Sequence, residues 1–416
     1  MAETVKTMKL HIHPDEGQQK LLMEFAMLYT DICNYISQFI FDCHFNMNMA
    51  WLHDQLYYHI REKFGSKSQM TLSAFRTAIA RYDAVREQMA QNPYRYKGQD
   101  GKWKQIPRTL EWLWKPVRFR RPQADLVRGR DYSFVWKKNA DNIPERMLSL
   151  NTLEGRVYVS YDVPPFFEKY FDGSWSFGTG KLVTLNGKWY FHIPMTKKSV
   201  DEFSAGIVKH VAGIDRGLRF LVTVYDESGR ASFVDGSGIL KKRERFQQVR
   251  SELQAKGTKS AKRALQRLSG RENRWMSDVN HQVSKALVTQ YGNNTLFAME
   301  DLSGVSFCEE NLSARTKEGR RELRSWPFYQ LEQYLAYKAH EAGSEVMRVS
   351  AAYTSQRCPK CGRIRKENRD HARHGYVCDQ CGYRSNDDRV GAMNIYQLGI
   401  RYLRGEETPA FSLTEM

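Results

Sequence analysis

Seven cysteines stand in this sequence, and four of them are paired: Cys358-Pro-Lys-Cys361-Gly and Cys378-Asp-Gln-Cys381-Gly, with 16 residues between the pairs. A two-residue gap lets both thiolates of a pair reach one tetrahedral ion, and four thiolates close its shell. The glycine after each second cysteine suits the tight turn that this requires. The spacing predicts one structural Zn²⁺ held by Cys358, Cys361, Cys378 and Cys381. His371 and His374, in the intervening loop, are the lesser alternative ligands. A second set of candidates is acidic. Asp215 closes the apolar run Val211-Ala-Gly-Ile-Asp, Glu300 closes Leu296-Phe-Ala-Met-Glu, and Asp388 falls in the first turn of a helix that Ser385 could cap. Alone, Asp215 and Glu300 are more readily read as turn residues than as catalytic ones, and Asp387 caps as well as Asp388 does. Together, on neighbouring strands about 4.8 Å apart and a helix crossing their end, they form a hard-oxygen cluster that needs cations to offset its repulsion. Two Mg²⁺ ions meet that need and serve in-line displacement at a phosphodiester without a histidine base.

The elements that must position these groups follow from hydrophobic periodicity. Residues 5–13 alternate as a strand, and Asp15 is placed to cap a helix with apolar positions from Leu21 to Ile40. Further helical patterns run over Trp51–Lys63 and Leu72–Met89. From about Tyr94 to Thr196 short alternating runs separated by turn residues predict strands. After a polar stretch at 197–207 come strands at 208–215, 220–225 and near Phe233, two long helices over 240–290, and strands at 295–300 and 345–350 around a helix at 326–342. This is a mixed α/β pattern that the cysteines interrupt.

The formal charge of +17, from 64 basic and 47 acidic residues, favours a polyanionic partner. Twelve Lys and Arg against three Glu lie between Lys241 and Arg274. Of these, Lys241, Lys242, Arg243, Arg245, Lys262 and Arg263 are candidates for backbone contacts to nucleic acid, and a solvated basic helix pair is the alternative. Residues 102–121 interleave Trp103, Trp112, Trp114 and Phe119 with cations that include Arg118, Arg120 and Arg121. This fits either stacking on RNA or aromatics buried in a small β domain. No apolar run reaches membrane-spanning length, and residues 1–6 lack the pattern of a secretion signal. A soluble protein of a reducing, cytoplasmic compartment is expected.

The ordered motifs GID at 213–215, MEDL at 299–302, YTSQRCPKCG at 353–362, CDQCGYRSNDDR at 378–389 and AMNIY at 392–396 resemble the TnpB family of transposon-associated nucleases and the related miniature type V-F CRISPR effectors. The likeness is specific over 205–400. It is weaker before that, where HPDEGQQ and FRRP at 119–122 are similar to the family's wedge domain. The resemblance implies a multidomain α/β protein. A β-barrel wedge domain (1–13 and 94–204) would carry a helical recognition insertion (14–93). An RNase H-like RuvC nuclease domain (205–350 and 385–405) would carry an inserted zinc ribbon (351–384), and a C-terminal tail (406–416) would follow. It implies catalytic Asp215, Glu300 and Asp388, guide RNA and double-stranded target DNA as partners, and cleavage next to a short recognition motif. Where the family usually reads Asp-x-Asn-Ala-Ala-x-Asn, this chain has Asp388-Arg-Val390-Gly391-Ala392-Met-Asn394, so support around the carboxylate differs. A guide-dependent DNA-binding repressor and an RNA-independent structure-specific nuclease are the rival readings. Monomer and homodimer both remain open.

Overall fold

The computed structural model describes residues 3–138, 142–198, 205–217, 219–302, 328–370 and 373–413. The chain divides into two compact units, one of Val5–Lys197 and one of Lys198–Met416 with Met1–Thr4.

In the first unit, strand β1 (Glu3–His13) leads into three helices, α1 (Glu16–Asp42), α2 (Met49–Phe64) and α3 (Ser68–Gln91). Asp15 caps α1 through a reciprocal box. Its carboxylate accepts from the Gln18 amide, and the Gln18 side chain accepts from the Asp15 amide. A short hairpin, β2 (Tyr94–Lys97) with β3 (Trp103–Ile106), stands outside the main sheet of the unit. That sheet contains β1, β4 (Gln123–Leu126), β5 (Tyr132–Lys138), β6 (Pro144–Thr152), β7 (Gly155–Tyr161), β8 (Ser176–Phe177), β9 (Gly180–Leu185) and β10 (Lys188–Lys198). Its order is β4-β9-β10-β1-β7-β6-β5, with β8 on β10. No ladder joins β4 to β5 among the described residues. The inward positions of β1 (Met8, Leu10, Ile12) and the buried face of α1 (Leu22, Phe25, Tyr29, Ile32, Ile36, Ile40) share one core. The chain's first strand thus lies centrally in a sheet whose other strands are far along the sequence.

The second unit is built on a five-stranded mixed sheet in the order β13-β12-β11-β14-β15. The strands are β11 (His210–Asp215), β12 (Phe220–Asp226), β13 (Ala231–Asp235), β14 (Thr295–Glu300) and β15 (Glu345–Val349). β11, β14 and β15 run parallel, and β12 and β13 add antiparallel at the edge. Helices α4 (Ser237–Lys256), α5 (Lys259–Tyr291) and α6 (Phe328–Glu341) connect these strands. Alternation divides β11 and β14 between two cores. Ala212, Ile214, Phe297 and Met299 pack with Met276, Leu287, Leu331 and Leu335 on one face. Val211, Leu296 and Ala298 pack on the other with Ile395 and Leu398 of α7 (Asp387–Leu403).

Candidate metal centres and their surroundings

The two cysteine turns have the same backbone pattern. Cys358 N–H donates to Arg363 O at 2.8 Å and Gly362 N–H to Cys358 O at 3.0 Å. Cys378 N–H donates to Tyr383 O at 2.9 Å and Gly382 N–H to Cys378 O at 3.0 Å. Gly362 and Gly382 carry φ of +80° and +69°, the left-handed conformation that side chains resist. The four sulfurs lie within 4.8 Å of one another, with Cys358–Cys381 at 3.6 Å and Cys361–Cys378 at 3.5 Å. Bonds of about 2.3 Å in a tetrahedron separate sulfurs by about 3.8 Å, so the set fits zinc with little adjustment. For the Cys378 thiol, the raising effect of burial is outweighed by the backbone amides of Cys381 and Gln380, and its pKa falls to about 7. Strands β16 (Arg369–Asp370), β17 (Gly375–Val377) and β18 (Arg384–Asn386) form the small sheet beside it. His374 is not with the sulfurs: its Nδ1 faces Asp387 at 3.4 Å and Asp388 at 3.8 Å. His371 lies outside the described residues. Stripping the ion with a strong chelator, or replacing Cys358 with serine, is expected to lose one zinc per chain. It should also expose the amides of 356–386 to hydrogen exchange while those of β1 and α1 stay protected, as mass spectrometry would report.

The acidic residues are gathered by the alternation of the second unit. Ile214 pairs with Met299 in the parallel β11–β14 ladder, so Asp215 and Glu300 end neighbouring strands side by side. Asp215 shares a face with Val211 and Gly213, and Glu300 with Leu296 and Ala298, which is the face that α7 covers. Gly213 makes the close approach possible: a Cβ there would lie 2.3 Å from both Ala392 O and Tyr396 N. Gly391 lies directly against Asp215, where a Cβ would stand 2.7 Å from Oδ2. Asp388 is in the first turn of the same helix, three residues before Gly391.

Asp215 and Glu300 retain part of their surface, yet burial is the largest influence on both, and each carboxyl is raised. Asp215 is raised further by Glu300 and then Asp388, well above the ordinary range, with Arg369 opposing. Glu300 is pulled back by the Thr354 hydroxyl, which donates to Oε1, and by Arg216 and Arg369. Asp388 is raised by burial and by Asp387, against Arg369, His374 and Arg219. Buried, mutually repelling carboxylates are a donor set of hard oxygens suited to divalent cations such as Mg²⁺. The trio at this end with ligand atoms all within 4.8 Å is His374, Asp387 and Asp388, and not Asp215, Glu300 and Asp388.

Several of the supporting groups have no signal in a single sequence. Asn386, not Ser385, caps α7 by accepting from the Arg389 amide, and it is also the last residue of β18. Asp387, fully buried, is held by Arg369 at 2.8 Å, so the two adjacent aspartates are not equivalent. Asn394 donates from Nδ2 to Thr354 O at 2.7 Å and Arg357 O at 2.8 Å, tying the segment that carries Thr354 to α7. Arg216 pairs with Glu332 at 2.9 Å and donates to the Glu300 carbonyl at 2.5 Å. Asn394 was hinted at by AMNIY and by the closing Asn of the pattern that begins at Asp388; an arginine 84 residues from its acceptor leaves no such sign.

The basic candidates fall on exposed surfaces of each unit. Lys241, Lys242 and Arg245 are exposed on α4, Arg243 is half-buried there, and Lys262 and Arg263 are exposed on α5. Lys242 Nζ lies 4.4 Å from the Trp275 ring centroid. In the first unit Arg118, Arg120 and Arg121 line an open groove of about 940 Å³ with Arg76, Arg81 and Lys181. Burial does not account for the aromatics of 102–121: Trp103 is 67 % exposed, Trp112 45 % and Trp114 81 %, and only Phe119 packs against the core.

A family model described as "Cas12f1-like, TNB domain" matches residues 328–395, and one described as "Probable transposase" matches 197–303. A CRISPR-associated endodeoxyribonuclease Cas12f1 of Syntrophomonas palmitatica is 29% identical over 246 residues, 55% of this chain and 47% of that protein. A TnpB-like protein of Methanocaldococcus jannaschii is 26% identical over 239 residues, 56% of this chain and 83% of that protein. The chain thus spans about half the length of the Cas12f1 relative. Among solved structures, a Cas12f1–sgRNA–target DNA complex superposes with a TM-score of 0.57 at 10% identity over 91% of this chain and 82% of that one. The mini-RNA-guided endonuclease CRISPR-Cas_phi3 gives 0.54 at 11% over 95% and 92%. These likenesses bear out the resemblance to TnpB-type proteins and miniature CRISPR effectors, and the mixed α/β fold is shared with Cas12 effector structures.

Proposed function

We propose, proceeding from that resemblance, that this chain is an RNA-guided DNA endonuclease. It pairs a guide RNA with target DNA beside a short recognition motif and hydrolyses phosphodiester bonds at Asp215, Glu300 and Asp388. The observation that carries this reading is the register of β11 on β14, which sets Asp215 beside Glu300 on the sheet face that α7 covers, with Asp388 at that helix's start. The unit containing the sheet is read as an RNase H-like RuvC domain, residues 351–384 as its inserted structural zinc ribbon, and the eight-stranded sheet with α1–α3 as a wedge domain carrying a helical recognition insertion.

Two Mg²⁺ ions are the group these oxygens would hold; when bound they activate water and offset the charge gathering on the phosphate. The chain's own side chains prepare the site. Thr354 orients one oxygen of Glu300, Asn394 fixes the segment bearing Thr354, and Arg369 limits the repulsion among the acids. The relative named an endodeoxyribonuclease and the solved complex containing sgRNA and target DNA support the same partners here. So do the basic groove around Arg118, Arg120 and Arg121 and the exposed tryptophans beside it in sequence, which suit phosphate pairing and base stacking. Base pairing then supplies sequence specificity, and the protein reads backbone and shape. No helix among the described residues is long and apolar enough to cross a membrane.

The test is to isolate the chain with its RNA, sequence that RNA, and present duplex DNA carrying the matching segment in Mg²⁺. Cleavage is expected on matched DNA and not on scrambled DNA, and it should disappear when the RNA is digested. Specific binding without cutting would favour a repressor. Cutting of branched DNA after RNA removal would favour a structure-specific nuclease. Either result would overturn the proposal.

A further inference from the structure

We infer that His11, His13 and Asp162 form a surface site for a transition-metal dication of zinc's class, separate from both the cysteine and the acidic centres. It begins with the sequence His11-Ile12-His13 on β1. Residues two apart on a strand share a face, so both imidazoles emerge on the side opposite Ile12, which is 1% exposed in the core. The neighbouring strand β7 supplies the third group. Ile12 pairs with Tyr161 and His13 with Ser160, so the next residue, Asp162, falls opposite His11. Its amide donates to His11 O at 3.0 Å, which fixes the position of its side chain.

The three side chains converge. His11 Nδ1 lies 2.9 Å from Asp162 Oδ2, and His13 Nε2 lies 2.9 Å from Asp162 Oδ1. The two rings meet edge to face with centroids 4.3 Å apart, and one donor atom from each residue falls within 4.8 Å of the other two. Metal bonds of about 2.0–2.1 Å in a tetrahedron set donor atoms about 3.3 Å apart. The three donor atoms, already within 4.8 Å of one another, therefore need only side-chain adjustment to surround an ion. With an ion bound, each imidazole would turn a lone pair inward and carry its proton on the nitrogen facing away from the carboxylate, in place of the hydrogen bonds that Asp162 accepts here. Two imidazoles and one carboxylate favour Zn²⁺, Ni²⁺ or Cu²⁺ over Mg²⁺ and Ca²⁺, which prefer oxygen alone. The half-exposed to exposed setting leaves the remaining positions to water. An ion there would clip the chain's first strand to β7. This inference does not depend on the nuclease reading.

The experiment starts from full-length protein whose cysteine-bound zinc has been counted by elemental analysis. It is then dialysed against Zn²⁺ in excess Mg²⁺, which occupies sites made of oxygen. Wild-type chain is expected to take up one further zinc and to melt at a higher temperature with Zn²⁺ than without. His13→Gln and Asp162→Asn each keep a hydrogen-bonding group. They should bind that zinc at least tenfold more weakly and show no zinc-dependent rise, while melting like wild type when no zinc is added. Asp388→Ala should retain the extra ion. Absence of a further zinc in wild type would overturn the proposal. So would a further zinc held equally by His13→Gln and Asp162→Asn, because the ion would then be adventitious or bound elsewhere.

Discussion

Asp215→Asn is expected to lower Mg²⁺-dependent cleavage of guide-matched DNA by roughly 10³-fold or more, with affinity for that DNA largely kept. The substitution preserves shape and removes the charge that would hold the ions. The same change has a second readout with a definite sign. Burial first, then Glu300 and Asp388, hold the Asp215 carboxyl well above the ordinary carboxylate range. Such a group binds its proton more tightly in the folded chain than in the unfolded one, so its ionisation destabilises the fold. Without divalent ions, its contribution is most favourable below the unfolded value and is lost as pH rises toward the raised folded value. Glu300 and Asp388 are raised as well and act in the same direction. Asp215→Asn should therefore melt higher than wild type in Mg²⁺-free buffer near neutral pH, and should gain less from added Mg²⁺. Melting curves with and without Mg²⁺ across pH 5–8 check this. A variant that cuts like wild type, or that is less stable than wild type without ions, would contradict the role given to Asp215.

Gly213→Ala is expected to destabilise the second unit by about 3 kcal/mol, the upper range for forcing extra volume into a packed core. Its added methyl would stand 2.3 Å from two backbone atoms of α7, Ala392 O and Tyr396 N, and neither can rotate away as a side-chain tip could. The helix must lift as a body, which pulls Ile395 and Leu398 from Val211 and Ala298 and withdraws Asp388 from the end of the sheet. A fall of roughly 6–12 °C in melting temperature, with loss of cleavage, should be read by calorimetry and by nuclease assay. Gly238→Ala is the matched control. Nothing lies within 4 Å of a Cβ there, and alanine in a helix is neutral to mildly stabilising. Equal melting of the two variants would remove the argument that Gly213 sets the position of α7.

How much of this was legible beforehand follows the range of each interaction. The four thiolates are placed by turns of a few residues, so CxxC spacing and the following glycines specify the knuckles. The faces of β11 and β14 are set by two-residue alternation, so apolar runs ending in Asp215 and Glu300 already assign both acids to strand ends. The helices α1 to α3 and α5 were likewise visible in their apolar periods, and Asp15 in its capping box. The hairpin of 94–106 was not separable from the large sheet, because its alternation is the same and only its failure to pair distinguishes it. The aromatics of 102–121 were open to opposite readings for a related reason: a tryptophan carries the same hydrophobicity whether or not neighbours cover it, and here three lie exposed.

By itself the sequence determined what is local: which residues can ligate, which side of each strand they occupy and where helices begin to within about four residues, the largest gap being Leu72 read for Ser68 at the start of α3. Only the tertiary structure decided which strands are neighbours, that Asn386 and not Ser385 caps α7, and that Arg369 holds Asp387 while Gly391 makes room for Asp215. It also brought His11 and His13 to Asp162, about 150 residues away along the chain. The reason is physical. Local conformation is set by sterics and periodicity within a few residues, whereas pairing of distant segments is chosen by the total burial and hydrogen bonding of the whole fold, which no short stretch encodes.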